Sequence, residues 1–267
     1  MKWCLFLIAL IPSLALAQAG AEWKRELNSN ALGPHPKLAA TALDFQVSWK
    51  GMIKAGTLKI EFAPADAKKP GAYVIRSSAT SLGAAALIFP YKSNFWSELD
   101  PASFQPRYFK AMEVDKRESV TTTVRHFADR VETHEEAKLC TTKLTTTSAK
   151  VFKFSPVFDI FSAMLHIRSQ KLDPGDRIAL VICPFKTPYL LRVTVAGREV
   201  HEGRKAICLT LSMRKIHRDT LELLPYKKLK KDATLWLSDD ADRVPIELRA
   251  AAFIGDVRAK LANRRKP

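Results

Sequence analysis

Residues 155–176 read SPVFDIFSAMLHIRSQKLDPGD. Val157, Phe158, Ile160, Phe161, Met164 and Leu165 recur at the three- and four-residue intervals that line one side of a helix. Ser155 suits an N-cap and Pro156 the first helical position, while Pro174-Gly175 ends the segment. The pattern predicts one amphipathic helix over about 156–171, with a wide apolar stripe. Almost everything around it alternates with period two. A single helix among many strands plugs or covers a curved sheet. The fold class is therefore mainly β: a curved antiparallel sheet or incomplete β-barrel with the helix packed on it.

The alternation begins with Phe45, Val47 and Trp49, breaks at Gly51, and resumes with Leu58, Ile60 and Phe62. A turn at PADAKKPG precedes a strand over 72–80. Further strands are expected at 94–99, 107–114, 119–128, 141–148, 177–183, 189–195, 206–213, 233–237 and 244–251. Thr and Val dominate 119–128 and 141–148, and both suit a pleated, half-buried surface. A short helix or turn is expected near Leu82–Phe89. PYKKLKKD (225–232) reads as a solvated basic loop.

The first residues, MKWCLFLIALIPSLALA, have the layout of a secretory signal peptide: Lys2, an apolar run, and small residues before a cleavage point after Ala17. The run is short of the ~20 residues that span a bilayer, and Pro12 interrupts it. No Cys follows the cleavage point, which disfavours a lipid anchor. The expected organisation is a signal peptide (1–17), a leader that is poorly ordered or draped over the domain (18–40), one β-rich domain (41–262) and a basic tail (263–267). In a bacterium with an outer membrane, the product would lie in the periplasm.

The chain carries 43 Lys and Arg against 27 Asp and Glu, a formal charge of +16. Export makes nucleic acid an unexpected partner and points instead to anionic envelope surfaces: lipopolysaccharide, lipid headgroups or acidic glycans. The alternative is a charged face that serves solubility. Cys140, Cys183 and Cys208 remain after cleavage. Cys183 and Cys208 sit on neighbouring strand candidates and are the preferred pair for one disulfide; three buried thiols are the alternative.

Residues 235–248, LWLSDDADRVPIEL, pose a local question. Asp239, Asp240 and Asp242 are either a carboxylate site or the turn of a hairpin. The loop lacks calcium-loop spacing, and alternation resumes at once in VPIELRA, so the hairpin is expected. Asp159 and Arg168 are nine positions apart, about 900° of helical rotation, and lie on opposite faces. They complement the helix dipole, or one of them orients a ligand in a cavity; the first is preferred for Arg168. His126 and His134, with Glu135 and Glu136, lack metal-ligand spacing. No nucleophile elbow, phosphate-binding glycine loop or His-Glu-x-x-His motif is present, so neither catalytic residues nor a metal or cofactor are expected.

Four places together resemble the domain of unknown function 3108 family of exported bacterial proteins. They are FQVSWKGMIKAGTLKI, with Gly51 and Ala55-Gly56; SELDPASFQPRYF, with Asp100-Pro101 and Pro106; the helix with Asp159, Ser162-Ala163 and Arg168, then Pro174-Gly175; and Trp236 through Asp240 to Pro245, then Gly255. The likeness runs from about Leu43 to Leu261. It implies an exported antiparallel β domain and no particular activity.

The leading expectation for function is a non-catalytic binding or carrier protein. Phe158, Phe161, Met164, Leu165, Trp49 and Trp236 would shelter an apolar group, and a basic rim would hold an anionic headgroup, as on a lipid or lipopolysaccharide component. The alternative is a structural or interaction protein of the envelope with a fully packed interior. An uncharacterised hydrolase comes last.

Overall fold

The computed structural model describes residues 19–64, 71–226, 231–252 and 255–266. The expected signal peptide, 1–17, lies outside them, as do residues 227–230 of the basic loop. Among the described residues no helix is long and apolar enough to cross a membrane.

The first half is a meander of eight antiparallel strands: β1 (Thr41–Trp49), β2 (Ile53–Pro64), β3 (Tyr73–Ser81), β4 (Tyr91–Leu99), β5 (Pro106–Asp115), β6 (Glu118–His126), β7 (Val131–Leu139) and β8 (Thr145–Phe152). The short α1 (Gly83–Ile88) joins β3 to β4. After α2 (Ile160–Ser169) come β9 (Arg177–Ile182), β10 (Tyr189–His201), β11 (Arg204–Ile216), β12 (Leu223–Pro225), β13 (Ala233–Ser238), β14 (Pro245–Ala252) and β15 (Gly255–Arg265). β15 pairs with β1, so one sheet runs β8-β7-β6-β5-β4-β3-β2-β1-β15-β14-β13-β11-β10-β9, with β12 added on β11. Its two ends, β8 and β9, do not pair. The sheet is large, antiparallel and open, as the period-two pattern predicts.

Besides the three-residue β12, two strands escaped the alternation. β7 reads VETHEEAKL and β15 reads GDVRAKLANRR; charges at most outward positions mask the few inward apolar residues, Val131 and Leu261 among them. Because β15 continues to Arg265, residues 263–265 are strand and not a tail; Arg265 pairs with Asp44 at 2.9 Å. β8 begins at Thr145 instead of Thr141, because 140–144 is a turn in which Leu139 N–H donates to Leu144 O.

The helix is shorter than its apolar stripe. Val157 and Phe158 are extended: Phe158 N–H donates to Val181 O and Phe158 O accepts from Cys183 N–H, so the segment lies along the free edge of β9. The N-cap is consequently Asp159 and not Ser155. Its carboxylate accepts from the backbone N–H of Phe161 (2.7 Å) and Ser162 (2.9 Å), and Ser162 Oγ accepts from Asp159 N–H, a reciprocal capping box. Ser97 Oγ on β4 donates to the same carboxylate at 2.6 Å, fixing the start of α2 to the sheet. Burial pushes the Asp159 carboxyl upward, against the pull of these donors.

Phe161 and Leu165 face the larger core, where Phe161 meets Phe95 and Phe109. Ala163 and Ile167, on the other side of the helix, join Phe158, Leu180 and Leu209 in a second cluster. β9, RIALVI, contributes Ala179 and Val181 to one cluster and Ile178, Leu180 and Ile182 to the other. A strand buried on both faces reads as a continuous apolar run for that reason.

The Cys183–Cys208 bridge is not formed. All three described cysteines are free. β10 separates their strands. Cys208 lies opposite Gly197, whereas Cys183 follows Ile182, which pairs with Tyr189 at the other end of β10. Eight residues along a strand is about 27 Å, far beyond disulfide reach.

The leader drapes over the seam between β8 and β9. Asn28 N–H donates to Ala179 O, and Asn28 Oδ1 accepts from Ala179 N–H at 2.6 Å. Trp23 is 3 % exposed; its indole N–H donates to Leu221 O at 2.8 Å and its ring meets Phe154. Gly33 passes so close to the end of α2 that a Cβ would come within 2.3 Å of Ser169 O. Truncating a buried tryptophan removes a large packed volume, so Trp23→Ala should cost about 3–5 kcal/mol in a urea melt. A loss under about 1 kcal/mol would mean that the leader is not part of the folded unit.

Candidate functional site

A cleft of about 870 Å³ opens at the end of the sheet where α1 lies. Inward-facing side chains shrink toward it. Along β2 they run Phe62, Ile60, Leu58, Gly56; along β3 they run Tyr73, Ile75, Ser77, Ala79, Ser81. The large end packs on α2, and the small end leaves the space. At Gly56 a Cβ would sit 2.5 Å from Thr80 O, so the neighbouring strand approaches where no side chain could stand.

α1 forms one wall. It reads GAAALI, and its Ala85 and Ile88 line the cleft with Phe89. Phe89 meets Trp49 edge to face at 6.2 Å. Leu82 N–H donates to Ala55 O at 2.8 Å, which ties the wall to β2. Polar groups gather at one side. Asp115 Oδ1 accepts from the backbone N–H of Arg117 (2.7 Å) and Glu118 (2.9 Å), and the turn presents Lys116 and Arg117 to the cleft. Tyr91 donates to Glu113 Oε1 at 2.6 Å; burial and that carboxylate hold its phenol above the usual range. Among the described residues lining the cleft there is no His or Cys. The arrangement can shelter an apolar group and attract an anion.

Of the six residues expected to contact a ligand, Trp49 lines this cleft. Phe161 and Leu165 are buried in the larger core, with Met164 packed against it, and Phe158 is buried in the second cluster. Trp236 is elsewhere again, with Ala206 and Ile246. Its ring stacks on His201 at 4.1 Å and under Arg249, and its N–H donates to Glu199. The residues that sequence reasoning did not connect are Val47, Ala79, Ile88, Phe89, Lys116 and Arg117. The apolar run AAALIFP, too short for a core helix, was the available signal.

The acidic stretch is a hairpin turn between β13 and β14. Asp240 Oδ1 accepts from Ser238 Oγ, Asp242 N–H and Arg243 N–H at 2.8–2.9 Å. The turn aims Arg243 at the end of α2, where its guanidinium donates to the carbonyls of Arg168, Gln170 and Lys171. Arg168 in turn donates to Asp242 O at 2.6 Å. It lies against Phe62, and burial lowers its pKa to about 10. The void beside it, about 20 Å³, is room for one water.

His201, Glu202 and Glu247 bring ligand atoms within 4.8 Å of one another. Both carboxylates already hold a cation: Glu247 pairs with Arg249 at 2.5 Å and Glu202 with Lys260 at 2.7 Å. His126 and His134 stand apart. His126 pairs with Val131 on β7 and is pushed down to about 4 by burial, while His134 pairs with Thr123 and is exposed.

The family model "Protein of unknown function (DUF3108)" matches residues 44–262, and the chain belongs to that family. No curated protein matches the sequence. The crystal structure of a β-barrel-like protein of domain of unknown function DUF1849 from Brucella abortus is similar at a TM-score of 0.54 and 9 % identity, covering 85 % of this chain and 98 % of that one. At that identity the likeness is one of fold.

Asp242 carries the pH dependence of the turn. Hydrogen bonds from Lys37 and Arg264 lower its pKa from 3.8 to about 2. A depressed carboxyl pKa contributes stability above pH 3.8 that is lost as pH falls through about 2. Its side chain is 25 % exposed, so screening reduces the contribution to about 1 kcal/mol. Urea melts should show Asp242→Asn less stable by that amount at pH 7, with the difference closing as pH falls through about 2. Asp240→Asn keeps the accepting oxygen and should change stability by less than ~0.5 kcal/mol at either pH.

Proposed function

We propose that this member of the DUF3108 family is an exported, non-catalytic carrier that holds the apolar part of an amphipathic anionic lipid or lipopolysaccharide component in the cleft beside α1. The observation that carries the proposal is the cleft itself. At about 870 Å³ it falls within the range of pockets that hold small ligands. Trp49, Ala79, Ile88 and Phe89 offer an apolar lining, and Lys116 with Arg117 offer charge for a headgroup. The pattern of residues 1–17 supports export, and a periplasmic location follows from it in a bacterium with two membranes.

A second reading is a structural or interaction protein of the envelope. The close packing of Phe95, Phe109 and Phe161 favours it for the α2 half of the molecule. The two readings differ in what the α1 half contains.

Native mass spectrometry of protein purified without detergent decides between them. The carrier reading expects co-extracted lipid mass and displacement of a fluorescent fatty acid from the cleft. Ala79→Trp fills the cleft from β3 and should lower that binding at least tenfold while the melt stays cooperative. A clean protein mass, together with no fatty-acid binding by the parent, overturns the carrier reading.

A further inference from the structure

The rim around the cleft exposes large apolar side chains that the fold does not use. Met52 is 80 % exposed, Leu87 84 %, Ile88 60 % and Ile53 52 %. Met52 closes the β1–β2 turn and Ile53 begins β2, and Leu87 and Ile88 end α1. The two segments are neighbours: Leu82 N–H donates to Ala55 O, and Phe89 meets Trp49 at the foot of that turn. Because the sheet is a meander, the β5–β6 and β7–β8 turns come to the same end. Cys140 N–H donates to Arg117 O at 2.8 Å and joins them, and Leu144, 58 % exposed, stands beside that junction. An apolar group of this size on one end of a protein marks a surface that meets something.

The charges say what. Lys50 and Lys54 flank Met52 and Ile53, Lys116 and Arg117 make the β5–β6 turn, and Lys143 precedes Leu144. Against these five cations stand Asp115, which accepts backbone N–H groups, Glu118 at the start of β6, and Asp256, which pairs with Arg258 at 3.0 Å, so positive charge prevails at the rim. Apolar side chains ringed by cations suit the boundary layer of an anionic bilayer, where the apolar groups enter the headgroup region and the cations meet lipid phosphates. A second copy of this chain is a poor occupant, because a two-fold interface would set the same five cations against one another.

We infer that this rim, Met52 and Ile53 with Leu87 and Ile88 among basic turns, docks on an anionic lipid bilayer. The cleft then opens at the membrane surface. A role in lipid transfer rests on the carrier reading; the docking stands on the rim alone.

Co-sedimentation with vesicles tests it. The full-length mature protein should pellet with vesicles of phosphatidylglycerol and phosphatidylethanolamine and remain in solution with phosphatidylcholine alone. Raising salt should weaken the binding, since exposed charges are screened beyond about 8–10 Å near physiological ionic strength. The double variant Met52→Glu/Leu87→Glu should lower partitioning at least tenfold with an unchanged melt, because both side chains are exposed. Ala79→Trp should bind vesicles as the parent does, so a failed cleft leaves docking intact and a failed rim leaves fatty-acid binding intact. The inference is overturned by a parent that stays in the supernatant, by a double variant that pellets like the parent, by equal binding to neutral vesicles, or by sedimentation velocity showing a dimer that Met52→Glu/Leu87→Glu dissociates.

Discussion

An open sheet must satisfy its edges, and here the edge that matters is β9. It is buried on both faces, so water cannot satisfy its outer backbone groups, and an unpaired buried amide or carbonyl is costly. Two segments distant in sequence supply the partners. Asn28 serves Ala179, and Phe158 serves Val181 and Cys183. Much else follows from that. Phe158 must be extended to reach the edge, so the helix cannot begin before Ile160. Asp159 is then the residue that turns the chain, and its carboxylate binds the helix start to Ser97. The leader must cross the seam to bring in Asn28, and Trp23 fills the gap against Phe154.

The other end of α2 is closed in the same way. Its last carbonyls lack intrahelical donors. Arg243, delivered by the acidic turn, supplies three hydrogen bonds, and Gly33 lets the leader approach Ser169. The acidic residues of that turn act on the helix through this geometry: Asp240 shapes the turn, while Asp242 gathers Lys37 and Arg264. The turn itself was legible from Asp and Pro in the sequence. Its role was not, because it depends on where one arginine reaches across about seventy residues of chain.

Fold class was legible because alternation survives wherever one face of a strand is buried. It fails where outward charge outweighs inward apolar content, as in β7 and β15, or where both faces are buried, as in β9. The apolar stripe extends beyond the helix at its start because Val157 and Phe158 are apolar for a strand edge and not for a helix face. The disulfide failed on register: adjacency of strands in sequence says nothing about position along them. For the site, Trp49 was visible and the rest was not, since the lining comes from β1, β2, β3, α1 and the β5–β6 turn, and only the three-dimensional meander brings their ends together.

The position of the cleft follows from lengths as well as side chains. α2 has ten residues and is about 15 Å long, while a nine-residue strand such as β3 spans about 30 Å. A plug of that length, even laid along the strands, fills about half the depth of the curved sheet. The remaining half could be filled only by large inward side chains, and β2 and β3 place Gly56, Ala79 and Ser81 there. Gly56 is set by the close approach of Thr80 O and Ser81 by its hydrogen bonds to the Tyr91 backbone, while Ala79 gives up buried apolar area with no such partner. The open end of the sheet is therefore left unfilled by the short reach of α2 together with these small inward residues, and the cleft beside α1 is the result.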